Sequence, residues 1–328
     1  MIKRVVLFFL TILCMVCLCG CELNGREIKL RTEMPDTELF EMGDLVCTPS
    51  ELKVFLANYK NIYGSIYDTD FWEGCQDVSE MSEKIKDAAF AHLTKVYALD
   101  LYAEGNGVAL TEDEVNICSK AAAEYYESLN ETEKSYMQIT PLELDDLVRD
   151  YVLAKKSYAK VMEGVNPEVS DDEARIMDAI IIYNTDKTKV EEAYEKAEDT
   201  RDFASLAANY SQLSYINATF GRGEYDSEVE EKVFTLDNGE YTHILEVNGG
   251  YMIFYCTNKY DEELSAQRKE KIYNERKTQA LDEIYSYYQK EVNSILNKEL
   301  YAKMSVDASP EIKTNNFFQL VDSYISFR

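Results

Sequence analysis

The helical pattern of this chain breaks at Val165-Asn166-Pro167, and this break requires a fold with at least two separately packed parts. Before the break, hydroxyl-bearing residues followed three positions later by glutamate precede apolar residues at helical spacing, as Thr111 and Glu114 do. These signals predict helices over 48–59, 79–104, 112–129 and 141–163. Residues 47–168 are therefore expected to form a helical N-terminal lobe.

The segment after the break, residues 170–260, predicts a small domain built around a mixed sheet. Its apolar block Ile176 to Tyr183 is typical of a buried strand. We expect the elements in this order: strand 176–183, helices 187–198 and 201–210, a loop as far as Gly221-Arg222-Gly223, helix 227–234, and strands 241–247 and 251–258. The last two strands should form a hairpin, because the glycines of Asn248-Gly249-Gly250 permit the positive φ angles of a tight turn.

A long charged helix is predicted from Lys259 to about Lys303, with Ile284 and Tyr288 among its apolar residues at helical spacing. Such a helix is too long to belong to the small sheet domain. We therefore expect residues 261–328 to return to the N-terminal lobe. The predicted class is α+β, with a helical bundle formed by the two ends of the chain and the sheet domain inserted between them.

The first residues carry the features of a secretory signal peptide. Lys3 and Arg4 precede an apolar run that ends in Leu18-Cys19-Gly20-Cys21, and these four residues resemble the lipobox of bacterial lipoproteins. The resemblance implies a signal peptide over 1–20, a lipid on Cys21 and a location on the extracytoplasmic face of the cell membrane. Residues 21–46 are polar and predict a tether. A short uncleaved membrane helix is the alternative, although the run is shorter than the ~20 residues that span hydrocarbon.

The charge balance argues against partners that are bound through phosphate groups. There are 34 Lys and Arg against 61 Asp and Glu, a net charge of −27, so nucleic acid is not an expected partner. Two histidines and the lack of paired cysteines at short spacing in the body of the chain give no support for a metal centre. Gly221-Arg222-Gly223 lacks the lysine of a phosphate-binding loop. We expect no metal and no cofactor.

Four cysteines lie beyond the signal peptide and lipobox, and their pairing cannot be deduced from their spacing. They are Cys47, Cys75, Cys118 and Cys256. One or two disulfide bonds are open alternatives in an oxidising compartment. Isolated cysteines at apolar positions are more often small buried hydrophobic residues, and this is the prediction we prefer.

A run of motifs in the central segment resembles the parvulin-type, or PpiC-like, peptidyl-prolyl isomerases. In order along the chain, the motifs are Phe203 to Ser211, Phe220-Gly221-Arg222-Gly223-Glu224, Glu228 to Phe234, Gly239-Glu240 and Gly250-Tyr251. A lipobox, a helical lobe, an inserted parvulin-like domain and a closing helix together resemble the PrsA and SurA group of extracytoplasmic foldases.

The resemblance also implies which positions should form the site. Parvulins surround the peptide carbonyl with two histidines and a cysteine or aspartate. Here the first histidine position falls near Asp178 or Ala179, the second at Met252, and the cysteine or aspartate position at about Leu213. We therefore assign no catalytic residue. The proline pocket aligns with Tyr225 and Val229, and Phe234 and Tyr251 complete the expected substrate-binding set, which is Tyr225, Val229, Phe234 and Tyr251.

The two histidines of the chain are expected to be structural. His92 lies on the apolar stripe of a predicted helix, and His243 falls where the family has no catalytic residue. Neither is expected to replace the family histidines. The usual isomerase chemistry is thus predicted to be degenerate in this chain.

The preferred functional hypothesis is a membrane-anchored chaperone or foldase that binds unfolded or nascent exported polypeptides. An active peptidyl-prolyl isomerase and a scaffold for one dedicated partner are the alternatives, and assembly into a homodimer is left open. Tyrosines on helices are candidate client contacts, because their rings are apolar while their hydroxyls can donate hydrogen bonds. These candidates are Tyr125, Tyr126, Tyr285, Tyr287, Tyr288 and Tyr301.

Overall fold

The computed structural model describes residues 22–23, 26–27, 34–66, 78–291, 294–307 and 309–327. The predicted signal peptide, Cys21 and Cys75 lie outside these residues. The chain divides into two compact units. We call them the helical unit, which comprises the described residues of 1–154 and 287–326, and the sheet unit, which comprises residues 155–286 together with the terminal residue 327.

The elements of the described residues, in chain order, are helices and short strands. The helices are α1 Pro49–Ile66, α2 Val78–Asn106, α3 Glu112–Ser128, α4 Glu131–Met137, α5 Pro141–Glu163, α6 Asp171–Ala174, α7 Lys187–Ala197, α8 Phe203–Tyr210, α9 Ser227–Val233, α10 Glu262–Glu291, α11 Lys298–Lys303 and α12 Phe317–Tyr324. The strands are β1 Glu22–Leu23, β2 Arg26–Glu27, β3 Phe40–Met42, β4 Leu45–Cys47, β5 Ile176–Asn184, β6 Asn217–Gly221, β7 Leu245–Val247, β8 Gly250–Asn258 and β9 Ser294–Leu296. The α+β class is confirmed.

Helix starts in the helical unit follow the local sequence signals. At α3 the Glu114 amide donates to Thr111 Oγ1 over 3.2 Å, and the Thr111 amide donates to Glu114 Oε2 over 2.7 Å. This reciprocal capping box satisfies two amides that the helix itself leaves unpaired. Helix α4 was not among the predicted helices, although it begins with the same arrangement at Asn130 and Glu133.

The prediction of a polar tether as far as residue 46 is wrong for residues 39–46. Strand β3 pairs antiparallel with β4 on one side and with β9 on the other. The side chains of Leu39 and Phe40 are 0% and 3% exposed. These apolar residues are too few to produce a recognisable sequence period, so the segment was predicted to be a tether. Their side chains are nevertheless buried in the structure, where β3 pairs with β9.

The long C-terminal helix is shorter than predicted. Helix α10 ends at Glu291, and the chain then forms β9 and the separate short helix α11. Pairing of β9 with β3 satisfies backbone groups that a continued helix would have bonded internally. The helix was predicted to continue because the apolar residues of Ser294–Leu296 and Lys298–Lys303 fit a helical period as well as a strand period.

The closing helix α12 packs into the core of the helical unit. Phe317 is fully buried, and its ring lies 5.1 Å from that of Tyr125 and 5.9 Å from that of Tyr151. Its backbone amide donates to Asn58 Oδ1 over 3.0 Å. His92 belongs to the same aromatic cluster, with Nδ1 2.9 Å from the Tyr59 hydroxyl, so its predicted structural role is confirmed.

The sheet unit contains a four-stranded sheet in the order β6-β5-β8-β7. Every neighbouring pair is antiparallel, so the predicted mixed sheet is wrong. Strand β6 occupies a place that we expected to be a loop, since its short polar sequence carries almost no strand signal. The strand expected over 241–247 shortens to β7, with an isolated bridge between Tyr241 and Tyr255 before it.

The two faces of this sheet carry separate cores. Helices α7 and α8 pack Val190 and Phe203 against Ile182 on one face. On the other face, α9 packs Val233 against Ile181 and Phe254. Successive side chains of a strand alternate between the two faces. The odd-numbered residues of β5 and the even-numbered residues of β8 therefore join the core beneath α9, and their neighbours join the core beneath α7 and α8.

Three of the cysteines are buried and carry free thiols, as predicted. They are Cys47, Cys118 and Cys256. Burial raises the pKa of the Cys47 thiol well above its usual range, which keeps it protonated and unreactive. Across the described ranges, no helix is both long enough and apolar enough to cross a membrane.

Candidate functional site

A cleft of about 470 Å³ opens on the face of the sheet that packs against α9. Its walls come from four separate stretches of the chain: the end of β5, the loop after α8, the turn before α9 with the first residues of that helix, and the β7–β8 hairpin. The lining residues are Tyr183, Leu213, Gly223, Glu224, Tyr225, Asp226, Val229, Val247, Asn248 and Met252. Small apolar clefts with a few polar groups at the rim are the usual form of a ligand site.

The floor of the cleft is apolar and held by aromatic contacts. The Tyr225 ring stands edge-on to the rings of Phe220 and Phe254, with centroids 5.0 and 5.2 Å away. Val229 lies beside it on α9 with 5% of its surface exposed. Burial, and the nearby charge of Glu224, raise the pKa of the Tyr225 hydroxyl. A small ring such as that of proline can bury apolar surface here.

The turn that carries Tyr225 is held by one buried carboxylate. Glu230 Oε1 accepts hydrogen bonds from three successive backbone amides, those of Gly223, Glu224 and Tyr225, over 2.6, 3.1 and 3.2 Å. Gly223 has a φ of +93°, which a residue with a side chain rarely adopts. Glu230 therefore fixes the backbone that places Tyr225 on the floor.

The opposite wall is formed where β5 meets the β7–β8 hairpin. The Tyr183 hydroxyl donates to the Gly249 carbonyl over 3.0 Å. A Cβ atom on Gly250 would come within 2.7 Å of the Tyr183 ring, so this close approach requires glycine. Met252 pairs with Tyr183 across the strands and completes this wall.

The structure brings together four of the seven residues that the sequence analysis singled out in this domain. Leu213, Tyr225, Val229 and Met252 all line the cleft. Ala179 shares this face of the sheet, but it is 2% exposed within the core and does not reach the cleft.

Tyr251 and Phe234 do not line the cleft, contrary to the predicted substrate-binding set. Tyr251 packs against the core on the opposite face, since strand alternation turns it away from its neighbour Met252. Phe234 is 5% exposed in the core beneath α9, with the Arg222 guanidinium 4.6 Å above its ring. Both residues stabilise the domain from outside the cleft.

The residues that the sequence analysis missed come mainly from the turn and the hairpin. Glu224, Asp226 and Asn248 supply the polar rim, and Tyr183 supplies a wall. Strand parity could have found Tyr183, because it lies on the same face of β5 as Ala179 and Ile181. No local pattern shows that the turn and the hairpin lie side by side.

None of the cleft residues within the described chain is a histidine. His243 instead lies with its Nδ1 2.6 Å from the Tyr194 hydroxyl. No group of three or more His, Cys, Asp or Glu side chains among the described residues is placed to hold a metal ion. The cleft thus offers apolar contact, tyrosine hydroxyls, carboxylates and backbone groups.

Comparison with protein-family models gives the class of the domain. Residues 183–258 match the family named Rotamase, described as the PPIC-type PPIase domain. The matched segment contains the cleft residues of β5, the turn, α9 and the hairpin. The sheet unit therefore carries a PPIC-type peptidyl-prolyl isomerase domain.

Over much of its length the chain is similar to foldase proteins named PrsA. It is 22% identical to the foldase protein PrsA of Caldanaerobacter subterraneus over 74% of this chain and 84% of that protein. It is 28% identical to the foldase protein PrsA of Halalkalibacterium halodurans over 42% of this chain and 47% of that protein. The crystal structure of PrsA from Bacillus cereus overlaps 75% of this chain and 94% of its own, with 19% identity and a TM-score of 0.35.

Proposed function

We propose that this protein is a foldase that binds unfolded or nascent exported polypeptides, and that the cleft of the sheet unit takes their X–Pro segments. The observation that carries the proposal is the convergence of Leu213, Tyr225, Val229 and Met252 on one apolar cleft within the PPIC-type domain. The name of the relatives, foldase protein, supports the same role for the whole chain.

Binding, rather than efficient isomerisation, is the main activity in this proposal. The X–Pro bond must pass a twisted state about 20 kcal/mol above the planar amide. An enzyme lowers this barrier with polar groups that favour the twisted form. Ala179, Leu213 and Met252, at the positions aligned with the family's polar residues, offer no hydroxyl, carboxylate or imidazole. Asp178, the alternative to Ala179, accepts a hydrogen bond from Thr219 Oγ1 and does not line the cleft.

An active peptidyl-prolyl isomerase is the alternative function. It is favoured by the match to a PPIC-type domain and by the hydroxyls of Tyr183 and Tyr225 at the cleft. In this alternative the hydroxyls and the cleft backbone would supply the polar groups.

The proposal includes anchoring on the extracytoplasmic face of the membrane. Its support is the sequence Leu18-Cys19-Gly20-Cys21 after an apolar run. The proposed order is a signal peptide over 1–20, lipid on Cys21, a helical lobe over 47–168, the parvulin-like domain over 170–260 and a closing segment over 261–328. Clients would first meet the protein at the membrane surface where they emerge.

Exposed apolar side chains on the helical unit supply further client contacts in this proposal. Leu142 is 70% exposed, and Tyr287 is 55% exposed. Tyr125 is fully buried and hydrogen-bonded to Asn58, so it is a core residue and not a client contact. The net charge of −27 keeps these surfaces soluble and favours basic clients.

The test uses residues 21–328 with Cys21→Ser, which cannot be lipidated. Refolding of a client limited by prolyl isomerisation is timed with substoichiometric protein, and aggregation of several unrelated clients is followed with stoichiometric protein. The variant Tyr225→Ala removes the ring from the cleft floor, and Tyr215→Ala is its control, because Tyr215 is 87% exposed and does not line the cleft.

We expect unchanged refolding rates and suppressed aggregation, with weaker suppression by Tyr225→Ala for proline-containing clients. Faster refolding that is lost in Tyr225→Ala would establish the isomerase instead. Suppressed aggregation of one client and of no other would favour the alternative of a scaffold for one dedicated partner.

A further inference from the structure

The rim of the cleft is acidic, and this charge sets a preference among the segments that the cleft can bind. Glu224 and Asp226 both line it, on the turn between β6 and α9. No lysine or arginine lines it in the part of the chain that the structure describes. A bound peptide would therefore meet negative charge beside an apolar floor.

Two arginines close to the turn, Arg222 and Arg268, contact other groups and compensate only part of the negative charge of the rim. Arg222 lies 2.7 Å from the Asp172 carboxylate and stacks over Phe234. Arg268 donates to the Arg222 carbonyl, and its Nη1 lies 3.7 Å from Glu224 Oε1. The carboxylate of Glu224 is thus partly paired, and it also accepts from the Gly221 amide over 2.7 Å.

Asp226 is the carboxylate that remains available. It occupies the N-cap position of α9, where an aspartate commonly accepts from an amide of the first turn, yet its side chain makes no cap hydrogen bond. Glu230 already binds the amides of the turn before it. The described residues place no cation beside Asp226, and its side chain is exposed at the mouth of the cleft.

We propose that Asp226 selects X–Pro segments in which a lysine or arginine immediately precedes the proline. The inference rests on the proposed role of the cleft in binding proline. With the proline ring on the floor at Tyr225 and Val229, the Cα atom of the preceding residue lies about 3.8 Å away, which leaves a long side chain within reach of Asp226 in the same cleft. A basic side chain there pairs with Asp226, whereas an acidic one is repelled by Asp226 and Glu224.

The test measures binding of short labelled peptides to the full-length chain in lipid nanodiscs by fluorescence polarisation, with empty nanodiscs as the blank. Three peptides differ only before the proline, where they carry Lys, Gln or Glu. A fourth keeps Lys and replaces the proline by alanine. In about 20 mM salt, where screening is weak, an exposed ion pair should give the Lys peptide an advantage of about two- to fivefold over the Gln peptide.

The variant Asp226→Asn should reduce this ratio to about one, because the amide keeps the shape and removes the charge. Glu228→Gln is the matched control: it removes one charge from the same helix at an exposed residue that does not line the cleft, and it should preserve the ratio. The Glu peptide should bind most weakly to the unchanged protein.

Two results would overturn the selectivity while leaving the cleft intact. One is equal binding of the three proline peptides with binding lost in Tyr225→Ala, and the other is a Lys preference that persists in Asp226→Asn. Failure of the proposed function looks different: no peptide binds, or the alanine-substituted peptide binds as well as its proline counterpart.

Discussion

Glu230 shows how a single side chain can set the geometry of the cleft without lining it. Its carboxylate is 9% exposed and accepts from three successive amides of the turn that carries Tyr225. Hydrogen bonds from amides to an ionised carboxylate are stronger than those to a neutral group. Glu230 is therefore a positioning residue for Tyr225.

Replacing Glu230 by glutamine should destabilise the sheet unit by about 1–3 kcal/mol and weaken peptide binding, because the neutral amide accepts more weakly and adds a donor with no partner. The measurement is urea unfolding together with the binding of a proline peptide. Glu231→Gln, on the exposed side of the same helix, is the control and should change neither. Equal unfolding midpoints for the two variants would show that the turn keeps its conformation without the hydrogen bonds to the Glu230 carboxylate.

At the scale of the element, the helix α12 closes the helical unit around an aromatic cluster. Phe317 contacts Phe55, Tyr125 and Tyr151 by its ring, and Thr314 Oγ1 lies 3.0 Å from the Tyr125 hydroxyl. Much of this contact is apolar and buried. Helix α12 is thus a part of the core although it lies at the end of the chain.

Phe317→Ala should lower the free energy of unfolding of the helical unit by about 3–5 kcal/mol, since it removes a fully buried ring and leaves a cavity. Calorimetry of the purified chain gives the shift in the transition of this unit. Gln319→Ala changes an exposed residue of the same helix and should stay within about 0.5 kcal/mol of the parent chain. A similar small effect for Phe317→Ala would mean that α12 is not docked in solution.

At the scale of the whole molecule, the stabilities of the two units should depend differently on pH. In the helical unit, burial raises the pKa of Asp100 to about 10, and the charge of Asp150 adds to this shift. Burial also raises the pKa of Asp150 to about 7, and the charges of Glu51 and Asp146 add to it. In the sheet unit, exposed carboxyl groups have lowered pKa values instead. The hydrogen bond from Lys269 and its charge, for example, lower the pKa of Asp171.

For Asp100 and Asp150 the folded protein keeps a proton that the unfolded chain releases near pH 4, so stability falls as pH rises from there through the folded pKa. His92 acts in the opposite sense, because burial lowers its pKa to about 4 and stability is lost as pH falls from about 6.5. Of these three groups, only the carboxyls of Asp100 and Asp150 still change the stability above pH 6.5. The helical unit should therefore lose stability between pH 6.5 and 9.

Asp100→Asn should flatten this loss, which amounts to at most about 1.4 kcal/mol per pH unit for each proton. The measurement is urea unfolding at several pH values, with NMR resonances of each unit followed separately. Asp113→Asn, an exposed change in the same unit, should keep the parent slope. The sheet unit should keep its stability over this range and lose the contribution of Asp171 only in acid, as pH falls below the ordinary aspartate pKa of about 3.9 through the lowered pKa of the folded state. Identical slopes for Asp100→Asn and the parent chain would contradict this account.

Elements whose signals are local could be predicted from the sequence by itself. The capping box of Thr111 and Glu114, the break at Val165-Asn166-Pro167, the apolar block of β5 and the glycines of the last hairpin each act within a few residues. Together with the order of the central motifs, they were enough to predict the α+β class, the PpiC-like resemblance and the cleft positions Leu213, Tyr225, Val229 and Met252.

Only the tertiary structure decided which distant segments meet. Strands β3 and β9 come from opposite ends of the chain, and the short polar strand β6 forms only because β5 offers it a partner. Strand alternation places Tyr251 on the opposite face and Tyr183 at the cleft, Phe234 lies in the core, and the turn held by Glu230 places Asp226 at the rim. The reason is physical: pairing across a sheet and burial depend on contacts between residues far apart in the chain, and no local pattern encodes them.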